Sequence, residues 1–232
     1  MYRKLSMIFI LFICLYSISF AQDELGWTKD FQVLSHHFQA TGSNTYFILE
    51  PNYYLVLENN DADERERLVI TVLDETKVVD GLETRIVEER ETVNGEIIEV
   101  SRNYFAFDTN TSSIFYFGEE VDIYKNGEIA NHHGAWASGE NGALFGLMIP
   151  GIVLLGSRYY QEIVPGVAMD RAEVISLSDT LNTPLGAFTD CLKIEETTPL
   201  EPGVKEYKVY APGIGLIKDG DLLLVEHGYN EE

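Results

Sequence analysis

Basic residues are scarce in this sequence. Lys and Arg number 16 against 38 Asp and Glu, which gives a formal charge of −22 over 232 residues. Such a charge repels a phosphate backbone and an anionic membrane surface, so nucleic acid is excluded as a partner and docking on such a membrane is opposed. Self-repulsion also keeps copies of the chain apart, which predicts a monomer. We predict a small apolar ligand or a protein partner instead.

Long apolar runs are equally scarce. The one at residues 7–20 follows two basic residues and ends at the small-x-small sequence 19–21, which is the layout of a secretory signal peptide. No later stretch reaches the ~20 apolar residues that a membrane-spanning helix needs. We therefore predict that residues 1–21 are a signal peptide cleaved near Ala21, and that the mature protein is secreted or periplasmic without stable membrane insertion.

Cysteine occurs only twice. Cys14 belongs to the predicted signal peptide, and Phe12 and Ile13 before it are not the small residues that precede a lipidated cysteine, so no lipid anchor is expected. Cys191 is then alone in the mature chain, which excludes an intrachain disulfide. We expect a buried, unreactive thiol, because free cysteine packs as a small hydrophobe; a nucleophilic or redox-active thiol is the alternative.

Catalytic and nucleotide-binding motifs are missing too. No strand pattern is followed by Gly-x-Ser-x-Gly, a Walker loop or Gly-x-Gly-x-x-Gly, and Gly213-x-Gly215 lacks both the third glycine and a following helix. We therefore predict no cofactor, and a non-catalytic role is better supported than an enzymatic one.

Alternating apolar residues dominate from Tyr46 onward, interrupted by Asn-Gly, Asp-Gly and Pro-Gly pairs. Residues 82–93 and 96–107 flank Asn94-Gly95 and predict a long hairpin, since Asn-Gly supplies the positive φ values of a type I′ turn. A second hairpin is predicted from residues 121–130. The pattern indicates an all-β, mainly antiparallel fold with few or no helices after the signal peptide.

We predict one β domain over residues 44–228, preceded by an N-terminal segment at 22–43 and followed by a tail at 229–232. The absence of a composition break or a Pro- and Ser-rich linker favours a single strongly curved sheet or two packed sheets. Residues 30–38 have the spacing of a short helix, with Phe31, Leu34 and Phe38 on one side.

Two segments of the C-terminal half carry a resemblance. Residues 186–193 read G-x-F-x-D-C-L-K, and residues 207–218 contain Y-A-P-G-I-G-L-I-K. With the middle of the chain they resemble a family of uncharacterised exported bacterial β-proteins that ends in Y-A-P-G-[VI]-G-x-[VI]-[KR]. The resemblance covers most of residues 46–218, although residues 47–52 depart from the family's N-terminal motif. It implies a curved antiparallel sheet like that of periplasmic lipoprotein carriers, which hold apolar ligands, and it supplies no catalytic residues.

A binding role is the first of three functional hypotheses. The sequence has 12 Phe and 13 Tyr but no catalytic motif, so an inner face of the sheet could hold a small apolar ligand. The ligand-lining candidates are Tyr53, Tyr54, Phe105, Phe107, Phe115 and Phe117. Packing of these aromatics in an ordinary core is the alternative, and a structural or surface-interaction protein is a further hypothesis.

The glycine-rich stretch at residues 131–146 is the candidate functional loop. Long loops without regular structure are uncommon in compact domains, and this one shows little strand pattern. We predict that Trp136, Leu144 and Phe145 anchor it as a lid over the open side of the sheet.

Metal ligation by the same loop, with an exported hydrolase or metal-dependent enzyme centred on His132 and His133, is the enzymatic alternative. Adjacent residues of a strand point to opposite faces, however, and no His-x-x-x-His or His-x-Glu spacing supports it. Solvent-exposed loop histidines are therefore expected, and no metal is predicted.

A calcium loop is a weaker candidate. Asp108, Asn110, Ser112 and Glu119 have the spacing of oxygen ligands in such a loop, but Ser113 stands where the loop needs glycine. A polar hairpin turn is the simpler interpretation.

Glutamates crowd the first predicted hairpin. Paired carboxylates perform acid and base chemistry in glycoside hydrolysis. Here Glu88, Glu89, Glu91, Glu96 and Glu99 are interspersed with arginines, so we expect cross-strand ion pairs on a solvated face.

Overall fold

The computed structural model describes residues 26–59, 61 and 63–230. The predicted signal peptide, its cleavage site and Cys14 lie outside these residues. The described part of the chain contains one 3-10 turn at Ser35–His37 and eighteen strands, and this confirms the all-β prediction. The strands are β1 (Phe38–Gln39), β2 (Gly42–Ser43), β3 (Ile48–Leu49), β4 (Tyr53–Glu58), β5 (Glu66–Val79), β6 (Leu82–Val93), β7 (Glu96–Asp108), β8 (Ser113–Lys125), β9 (Glu128–Asn131), β10 (Trp136–Ala137), β11 (Leu144–Ile149), β12 (Arg158–Tyr160), β13 (Glu162–Ile163), β14 (Arg171–Thr183), β15 (Gly186–Thr197), β16 (Glu206–Ala211), β17 (Gly215–Asp219) and β18 (Leu222–Tyr229).

One antiparallel sheet contains nearly all of these strands, in the order β12-β14-β15-β16-β17-β18-β4-β5-β6-β7-β8-β11-β13. Strands β12 and β13 stand at opposite ends of this order, yet only Gln161 separates them in the chain. The sheet is thus nearly closed into a barrel, as the prediction of a strongly curved sheet requires. Strands β2 and β3 form a separate small sheet.

Gly146 explains how the two sheet ends come together. A Cβ atom at this position of β11 would lie 2.3 Å from the carbonyl carbon and oxygen of Gln161. Only glycine allows such a close backbone approach. This contact brings β11 against the β12–β13 junction and fixes the seam of the barrel.

Both predicted hairpins are confirmed. Asn94 and Gly95 have φ values of 54° and 85° between β6 and β7, and Asn126 and Gly127 have values of 55° and 79° between β8 and β9. The prediction of a helix at residues 30–38 is wrong, because the chain there is extended apart from the three-residue 3-10 turn. None of the described residues forms a helix long and apolar enough to cross a membrane.

Apolar side chains pack on both faces of the sheet. The inner core lies inside the barrel and includes Leu57, Ile114, Leu192, Ile194 and Ile217, all with 0% exposure. The outer aromatic cluster lies on the opposite face of β6–β8 and consists of Val79, Ile86, Tyr104, Ala106, Phe115 and Phe117. The N-terminal segment covers this cluster, since the Phe38 ring meets those of Phe115 and Phe117 edge-on.

Cys191 is buried, as predicted, with 0% exposure. Strict alternation, however, does not hold around it. Asp190 has a φ of 56°, and the pairing of β14 with β15 shifts register between Asp179 and Leu181. This irregularity leaves both Cys191 and Leu192 buried, although adjacent residues of a regular strand face opposite sides.

Candidate functional site

The interior of the barrel holds a cavity of about 930 Å³. This volume lies in the range of small-molecule sites. Its lining contains eleven acidic and four basic residues, namely Glu66, Glu89, Glu91, Glu99, Glu119, Glu162, Asp170, Glu196, Glu206, Asp219 and Asp221 with Arg67, Lys205, Lys208 and Lys218. The cavity is therefore strongly acidic.

Strand alternation places the glutamates of the first hairpin on both sides of the wall. Glu89 and Glu91 of β6 line the cavity. Glu88, which precedes them, instead forms ion pairs of 3.1 Å with both Arg90 and Arg102. The prediction of ion pairs on a solvated face is thus correct for Glu88 and wrong for its two inward neighbours.

Like charges face each other inside the cavity. Glu91 and Glu99 are direct partners in the pairing of β6 with β7. Burial raises the pKa of both carboxyls, and Glu99 adds to the rise at Glu91. Directly opposed like charges destabilise a sheet. The fold maintains this pair at a cost in stability.

A bulge turns Glu119 inward. Asn103 pairs with Glu119, but Phe105, two residues on, pairs with Tyr116, three residues back, so β8 contains one extra residue. Gly118 accommodates it with a φ of 143°, and a Cβ there would lie 2.4 Å from the Trp136 carbonyl oxygen. Without this extra residue, alternation from Tyr116 would point Glu119 to the outside.

Three carboxyls of the cavity have strongly raised pKa values. Burial raises the pKa of Glu89 to about 7, although Lys208 opposes the rise. Burial, with a contribution from Glu89, raises the pKa of Glu119 to about 8. Burial together with the charge of Asp170 raises the pKa of Glu162 to about 8. Each of these groups is partly protonated near neutral pH, and a carboxyl in that state can donate as well as accept a hydrogen bond or a proton.

Lys208 is the main positive charge within the wall. Its Nζ lies 3.1 Å from Glu196 Oε2 and 3.7 Å from Asp219 Oδ2. Burial disfavours the charged amine, but Glu196 and Asp219 outweigh this effect and raise the pKa of Lys208 well above its ordinary value. Gln161 Nε2 also donates to Glu196 Oε1 over 2.9 Å. This network fixes the β15–β16 side of the cavity to the barrel seam.

An apolar floor lies below the acidic part. A smaller pocket of about 60 Å³ shares Glu89, Phe105, Met148, Lys208 and Asp219 with the large cavity. Its remaining lining is almost entirely apolar or aromatic: Phe47, Ile48, Tyr53, Leu55, Ile70, Val72, Val87, Tyr210, Ile214, Gly215 and Leu216. The interior is thus amphipathic from mouth to floor.

Tyr210 has an unsatisfied hydroxyl at this floor. Its side chain is 2% exposed, and its Oη has no hydrogen-bond partner among the described residues. Burial and Glu196 raise the pKa of Tyr210. Lys208, two residues earlier on the same face of β16, lies near enough to lower it. Buried hydroxyls are normally hydrogen-bonded, so this one marks a position where a further polar group fits.

The predicted ligand-lining aromatics do not share one face. Tyr53, Phe105 and Phe107 pack in or against the inner core, and of these Phe105 lines the large cavity. Phe115 and Phe117 belong to the outer aromatic cluster. The expectation of a single aromatic inner face is therefore not met, because alternation places residues 105 and 107 of β7 on the inner side and residues 115 and 117 of β8 on the outer side. Contact of any of them with a ligand stays a prediction.

Tyr54 is also away from the cavity. It donates to Glu226 Oε1 over 2.7 Å at an exposed position of β4.

The lid expected at residues 131–146 is also divided between two faces. Trp136 is 7% exposed and packs against the Tyr116 ring in the inner core. Phe145 stacks on Phe117 at 4.8 Å in the outer aromatic cluster, and Leu144 is 51% exposed. Two short strands, β10 and β11, pair with β8 here. The segment is therefore part of the barrel wall and does not form a separate lid over the cavity.

The histidines do not converge. His132 Nδ1 lies 2.9 Å from both Asp122 Oδ1 and the Val121 carbonyl oxygen. The backbone N–H of His133 donates to Asn131 Oδ1, and the residue is exposed. No group of three His, Cys, Asp or Glu side chains in the described part of the chain is arranged to hold a metal ion.

Asp108 and Glu119 also lie apart. Asp108 accepts hydrogen bonds from the Asn110 backbone N–H at 3.2 Å and from Thr111 Oγ1 at 2.6 Å, and Ser112 has a φ of 57°. These contacts make a tight turn between β7 and β8, as the hairpin interpretation expects. Glu119 belongs to the cavity instead.

Sequence reasoning missed the cavity carboxylates other than those of the first hairpin. Glu162 of β13, Asp170 just before β14 and Glu196 of β15 lie far apart in the chain, and no spacing links them to Glu89. The signal in the sequence was the excess of acidic residues at alternate positions of predicted strands, which a closed sheet turns inward.

Comparison with known proteins adds little. No protein-family model matches the chain, and no curated protein matches it significantly. Among solved structures the chain is similar to the "putative lipoprotein from Parabacteroides distasonis ATCC 8503", with a TM-score of 0.40 and 14% identity over 81% of this chain and 100% of that chain. A similarity of this size assigns neither family nor function, so the resemblance to exported bacterial β-proteins stays a prediction.

Proposed function

We propose that this chain is an exported, non-catalytic binding protein that takes a small amphipathic molecule into the barrel interior. The observation that carries the proposal is a cavity of about 930 Å³ that shares five wall residues with an apolar pocket below it. An ordinary core is packed without such space. The ligand class differs from the fully apolar one expected from the aromatic content, because the upper wall is acidic.

The experiment is a titration of the mature chain with Nile red, an uncharged dye whose emission reports an apolar environment. Val93 lines the cavity on the same face of β6 as Glu89 and Glu91 and is only partly buried, so Val93→Trp adds bulk to the cavity without replacing a core residue. Val78→Trp is the matched control, because Val78 is 70% exposed on β5 and does not line the cavity. We expect one dye per chain and at least tenfold weaker binding in Val93→Trp, with Val78→Trp unchanged.

Equal dye affinity in the two variants would contradict the proposal, since the dye would then bind elsewhere. Urea unfolding of both variants serves as the folding control. Native mass spectrometry of the protein from its exported fraction supplies an independent measurement: a bound small molecule displaced by Nile red supports the same site.

A further inference from the structure

We propose that the ligand of the cavity is a small organic polycation, a molecule whose ammonium groups are joined by short methylene segments; this inference rests on the proposed function. Three observations carry it: carboxylates of the wall that lack a cationic partner, the amphipathic floor, and the unsatisfied hydroxyl of Tyr210.

Several acidic residues of the cavity form no ion pair within the described residues, and six of them are Glu89, Glu91, Glu99, Glu119, Glu162 and Asp170. Burial raises the pKa of all six, which means that their charged forms are poorly solvated. Charges in such surroundings are normally paired. A bound cation supplies the missing partner.

Three of the four basic residues of the wall already have partners in ion pairs. Lys208 pairs with Glu196 and Asp219, and Lys205 Nζ lies 2.8 Å from Glu195 Oε1. Arg67 forms an ion pair with Glu58. These three cations are therefore paired with acidic residues other than the six unpaired carboxyls.

The six carboxyls are spread around the barrel. They come from β6, β7, β8, β13 and the residue before β14. No three acidic side chains of the described part of the chain are arranged to hold one metal ion. An extended molecule with several separated charges matches this distribution better than a single ion does.

The apolar pocket at the floor suits the rest of such a molecule. Methylene groups of a polyamine fit the apolar lining of the lower pocket, where Leu55, Phe105 and Leu216 lie. Tyr210, which is 98% buried given its 2% exposure, offers there a hydroxyl without a partner. A terminal amine can donate to that oxygen. The hydroxyl is an observation independent of the acidic cluster, and it points to a polar group at the inner end of the ligand.

Calorimetric titration with spermidine at pH 8 tests the inference on the mature chain. We expect one spermidine per chain and at least a tenfold loss of affinity in Glu89→Gln/Glu119→Gln. The matched control is Glu88→Gln/Glu120→Gln, which makes the same two substitutions at the neighbouring residues on the outer face and removes at least as much negative charge. Tyr210→Phe, which retains the ring and removes only the hydroxyl, should weaken spermidine binding at least threefold.

Several outcomes would overturn the inference. Equal weakening by the inner and outer double variants would mean that spermidine responds to net charge alone. Equally strong binding of magnesium chloride, with the same dependence on Glu89 and Glu119, would mean selection for any cation. Binding of octanoate or Nile red in the interior without spermidine binding would contradict the polycation inference and leave the proposed function intact. If Val93→Trp affected the binding of no probe, the proposed function itself would be contradicted.

Discussion

The two faces of strands β6 to β8 contain similar residues in very different surroundings. On the outer face, Glu88 pairs with two arginines and Lys77 bonds both Glu120 and Tyr104. On the inner face, Glu89 and Glu119 have no cationic partner among the described residues and their pKa values are raised by burial. Neighbours in sequence thus differ completely in electrostatics. The inner arrangement costs stability, and such local violations are expected at functional sites.

Aromatic packing shows the same contrast. The outer aromatic cluster is tightly packed, with the Phe117 ring stacked on Phe145 and met edge-on by Phe38. The inner face leaves space between Phe105 and the opposite wall of the barrel. The outer face therefore contributes to stability, whereas the inner face retains a cavity at its expense.

Truncation of Phe117 should have the largest effect. The side chain is 0% exposed, so Phe117→Ala should lower the free energy of unfolding by about 3–5 kcal/mol in urea unfolding. Met148→Ala, at the cavity wall, should cost only about 1–2 kcal/mol because the side chain borders space already open. Similar losses for the two variants would mean that the inner wall is packed like the outer cluster.

Removal of the buried lysine comes next. Lys208→Met leaves Glu196 and Asp219 without their cation and should cost about 2–4 kcal/mol at pH 8. The loss should be smaller in Lys208→Met/Glu196→Gln, which also removes one of the two carboxylates left without a cation. Lys205→Met, which breaks an exposed pair with Glu195, should cost far less. An equal loss in Lys208→Met and in the double variant would show that the methylene packing of Lys208, and not its charge, is what matters.

Stability should fall as the pH rises. Glu89, Glu119 and Glu162 have pKa values of about 7, 8 and 8 in the folded protein against an ordinary value of 4.5. The folded state therefore binds more protons than the unfolded chain between pH 5 and pH 8, and the free energy of unfolding decreases over this interval. The groups that face them across the cavity, and titrate or carry charge with them, are Glu91, Glu99, Asp170, Glu196, Asp219 and Lys208.

Two variants of neighbouring residues separate the faces in this pH series. Glu119→Gln should stabilise the protein at pH 8 and flatten its pH dependence. Glu120→Gln should destabilise it there, because Lys77 lowers the pKa of Glu120 and that interaction is present above the ordinary carboxyl pKa. Urea unfolding at pH 5, 6.5 and 8 measures both. A pH dependence unchanged by Glu119→Gln would assign the fall in stability to overall charge repulsion.

The contrast between the faces also shows what the sequence could reveal. Turns such as Asn94-Gly95 and alternation along residues 82–107 determine local structure, so strands and hairpins were predictable. Which face encloses the cavity depends on closure of the sheet between Gly146 and Gln161, which no local pattern encodes. The inward position of Glu119 depends on one extra residue at Gly118. The same long-range pairing explains why Trp136 lies in the inner core while Phe145 lies outside.

The smallest effect is expected for the histidines at residues 132 and 133. His132 is 66% exposed in its side chain and contacts only the Asp122 carboxylate and the Val121 carbonyl oxygen, while His133 is exposed. The double variant His132→Ala/His133→Ala should change the free energy of unfolding by no more than ~0.5 kcal/mol, the usual range for surface sites. Nile red and spermidine affinities should stay within twofold, because neither residue lines the cavity. Urea unfolding and the two titrations measure these quantities on one set of variants. Trp136→Ala is the buried comparison, and its loss of unfolding free energy should be several-fold larger. Loss of a bound metal ion or of ligand affinity in the double histidine variant would instead move the functional site to the outer end of β9 and revive the hydrolase hypothesis.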